Sequence, residues 1–258
     1  LGVEIRCNHQ VGRDITFETL QAEYDAVLIG TGLHLGRSTR IPGADHPDVM
    51  RAVEVLRRIW AGEPFEVPRS MVVIGGGNVA MDVARSVARL QRQRHGEVKV
   101  TVTALEALEQ MLADPEEIEE AREEGVVIRP SRGPKYCVIE NDHLTGLRSV
   151  RCLSVLDGEG RFHPHYDEED VEFHAADLVV EAVGQSADLG FLGGELTERL
   201  EWQRGRMQVD GEGRTGVPWL WAAGDVVEGP DIVHAVAAGH RVAASIHAYL
   251  SETLEVMV

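Results

Sequence analysis

Cysteine is scarce in this chain: Cys7, Cys137 and Cys152 are the only three. No two of them form a Cys-x-x-Cys pair. That excludes a zinc knuckle, a dithiol redox motif and an iron–sulfur cluster held by this chain alone. It also points to a reducing, cytoplasmic compartment. Long apolar runs are missing too; no stretch reaches the roughly 18 residues of a membrane span. Basic residues are outnumbered, with 25 Lys and Arg against 43 Asp and Glu, a formal net charge of −18. So acidic a chain repels phosphate backbones, which excludes general nucleic-acid binding but leaves room for a local site for a small phosphate ligand. There is no signal peptide and no initiator Met. Leu1 opens within a strand-like stretch, as expected of a fragment or a processed product.

What is present is globular: 258 residues, 43% hydrophobic, enough for one large domain or two modest ones. Val3 to Ile5 reads as a short strand, Thr16 to Glu23 as a short helical turn, and Asp25 to Ile29 as an apolar strand ending in Gly30-Thr31-Gly32. Val53 to Trp60 reads as a helix, with a boundary near Pro64 and Pro68. Met71 to Ile74 has no polar residue, as a parallel strand buried on both faces requires. Asn78 to about Arg94 carries Ala80, Val83, Val87 and Leu90 at helical spacing. Val98 to Leu105 returns as a strand. Asp114-Pro115-Glu116-Glu117 predicts a helix start, with Asp114 as N-cap, and Gly125 ends that helix. Residues 70–130 thus read β-α-β-α-β, an α/β fold with a parallel sheet. Residues 126–155 are strand-like, and the acidic stretch 157–170 reads as a surface loop. Leu178 to Val183 and Trp219 to Ala223 are buried strands. Asp231 to Leu250 is the clearest helix, with a stripe of Ile232, Val236, Gly239, Ala243, Ile246 and Leu250.

Gly75-Gly76-Gly77-Asn78-Val79-Ala80 fits G-x-G-x-x-A directly between a strand and a helix. Gly75 permits the tight turn, Gly77 lets a pyrophosphate approach the backbone, and Ala80 keeps helix and strand close. The helix N-terminus adds free N–H groups and a partial positive charge. A Gly-rich turn of purely structural use is the competing reading. Gly30 to Gly36 also comes after a strand, but its spacing is G-x-G-x-x-x-G and no helix starts behind it, so it reads as a crossover turn. An acidic residue at the end of the second strand would bond the 2′-OH of NAD, whereas Arg would receive the 2′-phosphate of NADP. Glu106 is the candidate, although it lies 31 residues past Gly75, against roughly 20 in the usual pattern. An ordinary solvated carboxylate is the alternative. Arg92, Arg94 and His95 fall at the far end of that strand, so NAD is favoured over NADP. His163-Pro164-His165 reads as solvated histidines and the acids from Glu116 to Glu124 as a solvated helix face.

Taken together, Ile74-Gly75-Gly76-Gly77-Asn78-Val79-Ala80-Met81-Asp82, Glu109-Gln110-Met111, Ala182-Val183-Gly184-Gln185, Ala222-Ala223-Gly224-Asp225-Val226 and Ala235-Val236-Ala237-Ala238-Gly239 resemble the glutamate synthase small (beta) subunit. They are similar as well to the matching part of dihydropyrimidine dehydrogenase and related FAD/NAD(P)-dependent pyridine nucleotide oxidoreductases. The resemblance runs from about Val3 to Leu250. It implies nested Rossmann-like three-layer domains, a nicotinamide-binding domain inserted into a partial FAD-binding domain. Residues 1–46 would be the first FAD segment, 47–67 a linker helix, 68–180 the NAD(P)-binding domain and 181–258 the second FAD segment. By resemblance, Gly75, Gly76, Gly77, Asn78 and Val79 would cradle the nicotinamide dinucleotide, with Gly184 and Gln185 near its nicotinamide end. Gly224 and Asp225 would meet the flavin's ribityl chain, and Ile232 and Val233 its pyrimidine edge. The implied chemistry is hydride exchange between nicotinamide and FAD, which needs no side-chain acid or base, so no catalytic residue is assigned.

The chain departs from that family in two places. NADP-using members carry Tyr-Arg-Arg where this chain has Ala104-Leu105-Glu106, in keeping with NAD. The family's FAD domain opens with its own strand, glycine fingerprint and helix, after a cysteine-rich iron–sulfur region, and neither precedes Asp25 here. The ADP half of the FAD site is therefore expected from another subunit or a missing N-terminal region. The alternative is an isolated nicotinamide-nucleotide-binding or assembly domain without autonomous catalysis.

Overall fold

The computed structural model describes residues 2–229 and 231–256. Along the chain run α1 (Phe17–Glu23), β1 (Val27–Ile29), β2 (Leu35–Gly36), β3 (Val49–Arg51), α2 (Ala52–Ala61), β4 (Met71–Ile74), α3 (Asn78–His95), β5 (Val100–Thr103), α4 (Pro115–Glu123) and β6 (Val127–Arg129). Then come β7 (Arg132–Glu140), β8 (His143–Leu156), β9 (Phe162–Ala175), β10 (Leu178–Glu181), β11 (Gln185–Ser186), α5 (Gly193–Arg199), β12 (Trp202–Gln203), β13 (Arg206–Met207), β14 (Leu220–Ala222) and α6 (Ile232–Val256). The chain divides into two units, Gly36–Gly184, and Leu1–Leu35 with Gln185–Val258.

The unit from 36 to 184 is built on a parallel sheet of order β3-β10-β4-β5-β6. All four residues of β4 are buried, and they alternate between two layers. Met71 and Val73 pack with Ala80, Val83, Ala84 and Val87 of α3 and with α2 and α4. Val72 and Ile74 pack with Cys137, Leu144 and Leu147 of the antiparallel sheet β7-β8-β9. The result is three layers, helices on one face of the parallel sheet and a second sheet on the other. Helix α3 ends at Gly96, whose φ of +78° provides the left-handed C-terminal turn.

Three expectations change here. The segment 47–67, read as a linker helix, belongs to this unit: β3 adds to the sheet beside β10, and Ala52 and Val55 of α2 enter the core. The acidic stretch 157–170 is a loop only at 157–161; from Phe162 it is β9. Its acids meet cations on β7, across β8: Glu168 with Lys135 at 2.6 Å and Asp170 with Arg132 at 2.8 Å. The acidic face of α4 is likewise not merely solvated. Glu117, Glu120 and Glu124 converge on Arg85 of α3, and Arg89 reaches Glu124 at 2.6 Å.

The other unit has a parallel pair, β1 and β14. Leu220, Trp221 and Ala222 of β14 are buried; Leu220 and Ala222 cluster with Phe17, Ile29, Leu192, Leu200 and Met207. Helix α6 packs through Ala238, Val242 and Ser245. Only part of the expected stripe is covered: Ile246 packs on this core and Gly239 and Leu250 are half-buried, whereas Ile232, Val236 and Ala243 are exposed. Small side chains at 238 and 242 set the helix close to Trp221, and Ser245 Oγ accepts the indole N–H at 3.0 Å. Val3 to Ile5 forms no strand, because nothing pairs with it, and both apolar side chains are exposed. Among the described residues no helix is long and apolar enough to cross a membrane.

Candidate functional site

Strand β4 delivers the chain into three glycines at the carboxyl edge of the parallel sheet. Gly75 has φ of +143°, outside the range of ordinary L residues. A β-carbon there would run into the carbonyl of Ala182. Its N–H donates to the Thr103 carbonyl at 2.9 Å, hanging the turn on β5. Gly76 faces the loop after β5, and a β-carbon on it would stand 2.8 Å from a carboxylate oxygen of Glu106. Gly77 has open space where a side chain would be, and its carbonyl starts α3 by accepting the Ala80 N–H at 2.9 Å. The first N–H groups of a helix find no partner within it, so this edge presents donors and a positive helix end to an anion. Val79 turns inward and packs against the core.

Asn78 opens α3, as expected of the residue after the glycine turn. Its side chain is engaged with Asp114, Nδ2 donating to the carboxylate at 2.9 Å and Oδ1 accepting the Asp114 N–H at 2.8 Å. Asp114 does stand at the N-cap of α4, but its carboxylate makes no capping bond. Glu106 lies just past β5, its carbonyl held by the Ser131 N–H at 2.8 Å. Arg92 and His95 are at the opposite end of the sheet, bonded to the carbonyls of Glu124 and Val67.

Sequence reasoning missed two groups. Arg129 and Arg132 join the strand end that carries Glu106: the Ala104 N–H donates to the Arg129 carbonyl at 3.1 Å, and the Arg132 N–H to the Ala104 carbonyl at 2.7 Å. Both side chains are occupied, Arg129 with Glu172 at 3.3 Å and Arg132 with Asp170 and Glu172 at 2.8 and 3.2 Å. Glu181 closes β10 with a fully buried carboxylate, which accepts the Thr39 N–H at 2.7 Å and pairs with Arg51. The only signal for Glu181 was an acid at the end of an otherwise apolar strand. Burial, and then the nearby Glu181, pushes the Cys137 thiol up to about 11, and burial raises Cys152. Neither is poised as a thiolate, and Cys7, Cys137 and Cys152 are all unpaired.

Gly184, at φ of +101°, ends this unit, and its carbonyl accepts the Arg37 N–H at 2.9 Å. Gln185 belongs to the other unit, where it opens β11. There Gly224, at φ of +73°, and half-buried Asp225 form a 3-10 turn after β14. Ile232 and Val233 open α6 with 81% and 74% of their surface exposed. These residues fit the flavin end of an FAD: a carboxylate beside a helix start with uncovered apolar side chains. The ADP end has no match among the described residues, since the segment from Gly30 through Gly32 leads into the short β2 and not into a helix.

Comparison with known proteins places the chain in a family. The chain is 37% identical over 258 residues to the NADP(+)-dependent formate dehydrogenase subunit beta of Moorella thermoacetica, covering 98% of this chain and 35% of that protein. It is 36% identical to the NAD-dependent dihydropyrimidine dehydrogenase subunit PreT of Escherichia coli K12, covering 97% and 53%. It is 33% identical to the glutamate synthase [NADPH] small chain of Halomonas elongata, covering 97% and 55%. The chain therefore spans from about a third to just over half the length of these relatives. In fold it is similar to Mycobacterium tuberculosis FprA in complex with NADPH, with a TM-score of 0.77 at 20% identity over 96% of this chain and 68% of that one. Residues 3–239 match the family model of the pyridine nucleotide-disulphide oxidoreductases, and the chain belongs to that family.

Proposed function

We propose that the unit from 36 to 184 binds NAD(H), with the pyrophosphate against Gly75, Gly76, Gly77 and the backbone of Asn78 and Val79, and the adenosine ribose at Glu106. The chain then serves as the nicotinamide-binding part of a flavin oxidoreductase. When bound, FAD supplies the partner for hydride exchange with the nicotinamide. What this chain's residues do is bind and orient: the glycine turn admits the pyrophosphate, and the α3 N-terminus offsets its charge. Gly184 and Gln185 are the candidates beside the nicotinamide, and Gly224, Asp225, Ile232 and Val233 those for the flavin. The rest of the FAD site, and any iron–sulfur clusters, come from chain outside this sequence. That is supported by the relatives' greater length and by the uncovered Ile232 and Val233. Three unpaired cysteines support a reducing, cytoplasmic setting.

The observation that carries the choice of NAD is the Glu106 carboxylate set against Gly76. A 2′-hydroxyl can donate to it, whereas a 2′-phosphate meets a like charge. The relatives include both NAD- and NADP-dependent proteins, so the test is direct. Titration calorimetry is expected to give tighter binding of NADH than of NADPH, and Glu106→Arg to reverse the order. Equal or tighter NADPH binding by the unaltered chain overturns the assignment. The second reading, a nucleotide-binding or assembly domain without catalysis of its own, is favoured by the lack of an ADP-binding turn among the described residues. On this ground the purified chain is expected to show little flavin absorbance even after FAD is added. Stoichiometric flavin and NADH oxidation by the chain alone would remove this second reading.

A further inference from the structure

The side chain of Asn78 has both polar ends engaged by Asp114. Its two bonds to Asp114 are joined by a third, from the Ala113 N–H to the Gly76 carbonyl at 2.9 Å. Residues 113 and 114 are thus tied to the glycine turn by three hydrogen bonds. The same loop is anchored at its start by β5 and by the Ser131 N–H on the Glu106 carbonyl. Glu106 lies between these two attachments. An aspartate at an N-cap ordinarily turns its carboxylate onto the first turn of its own helix. Asp114 makes no such bond and reaches across to α3 instead.

We propose that Asn78 and Asp114 form a latch in which Asn78 is a positioning residue, holding the 104–114 loop so that the Glu106 carboxylate cannot retreat from the ribose position. The inference deepens the NAD reading and rests on it. Rejection of a 2′-phosphate depends on a charge that stays in place, since a carboxylate on a loose loop would swing into solvent and cease to repel. The latch therefore sets the ratio of NADH to NADPH affinity. Loss of a direct pyrophosphate ligand would act differently and weaken both nucleotides alike, because both carry the same pyrophosphate.

The test uses the full chain, titrated with NADH and with NADPH, alongside amide hydrogen exchange. Asn78→Ala is expected to lower the NADH-over-NADPH affinity ratio by about fivefold, the scale of one or two lost hydrogen bonds. It should also speed exchange at the Ala113 and Asp114 amides while β4 and β5 keep their protection. Combining Asn78→Asp with Asp114→Asn reverses the pair but preserves both bonds, and should restore the ratio and the protection. If Asn78→Ala weakens both nucleotides equally, or the reversed pair restores neither readout, the latch is wrong. Failure of the NAD reading looks different: the unaltered chain binds both nucleotides equally and Glu106→Ala changes nothing. The exchange data then decide, and unchanged protection at residues 113 and 114 in Asn78→Ala overturns the latch.

Discussion

Two strands in this molecule look alike in sequence and do different things. Met71-Val72-Val73-Ile74 and Ala26-Val27-Leu28-Ile29 are both apolar, and both run into glycine. The first, β4, lies between β10 and β5 with a layer on each face, and a helix begins four residues after it ends. The second, β1, pairs with β14, and 43% of Leu28 is exposed. After it the chain runs without a helix to β2. An apolar strand ending in glycine is therefore not yet an anion site. Gly32 after β1 also has a positive φ, of +66°, so what completes one is the helix N-terminus directly behind the turn.

The largest test of that contrast replaces one glycine in each turn. Gly75→Ala puts a β-carbon into the Ala182 carbonyl at a backbone angle alanine rarely adopts. It should cost about 3 kcal/mol or more in urea unfolding. Gly30→Ala meets nothing within 4 Å and should cost less than about 1 kcal/mol. Similar losses at the two positions would mean that the two turns are equivalent, contrary to their geometry.

Gly77 separates binding from folding. Its side-chain space is open, so Gly77→Val should fold with a melting temperature within a few degrees of the unaltered chain. The added methyls occupy the space left for the pyrophosphate, so affinity for NADH should drop about a hundredfold, the size of a lost set of charge-assisted hydrogen bonds. Retained affinity in a folded Gly77→Val would remove this turn as the pyrophosphate site.

What could be read in advance was local. Strand β4, helix α3 and the Asp114-Pro115 start of α4 each depend on signals within a few residues, and each is where the sequence put it. Glu106 could be picked out in advance as an acid just past the end of β5, and its role toward a ribose is the proposal made above. What escaped depends on partners far along the chain. The acids of β9 look like a loop until Lys135 and Arg132 are seen beside them. The periodicity of α6 marks a helix but cannot say which side faces Trp221. Arg129 and Arg132 reach the Glu106 strand end only through pairing in the sheet, and the bond between the Asn78 side chain and Asp114 joins residues 36 apart in the chain.

The unit that holds the glycine turn also contains a buried source of pH dependence. His174 is buried, with Nε2 2.7 Å from the Ser149 hydroxyl and Nδ1 3.8 Å from Glu172. Burial lowers its pKa, Glu172 opposes that, and Arg129 and Arg132 add to it. Because the folded value lies below the unfolded one, the unfolded chain takes up a proton first as pH falls through about 6.5. Stability from this group is complete above that pH and declines below it, by at most about 1.4 kcal/mol per pH unit. The urea midpoint should fall between pH 7 and pH 5, and the fall should be shallower in His174→Gln. An unchanged slope would assign the acid sensitivity to other groups.

The smallest effect expected is at Leu28, and it bears most directly on the comparison of the two strands. With 43% of its surface exposed, Leu28 keeps only part of the apolar burial that its sequence neighbourhood promises. Threonine there introduces a branched β-carbon suited to a strand and gives up a partly buried isobutyl group. At about 25 cal/mol per Å² the loss should be about 0.5 to 1 kcal/mol. Val72→Thr in β4 removes less hydrocarbon, yet it buries a hydroxyl in a fully covered position and should cost more. The two substitutions, measured by urea unfolding of the full chain, thus invert the order that side-chain size alone would give. Were Leu28→Thr the more damaging, Leu28 would be covered in solution, and β1 would be as enclosed a strand as β4.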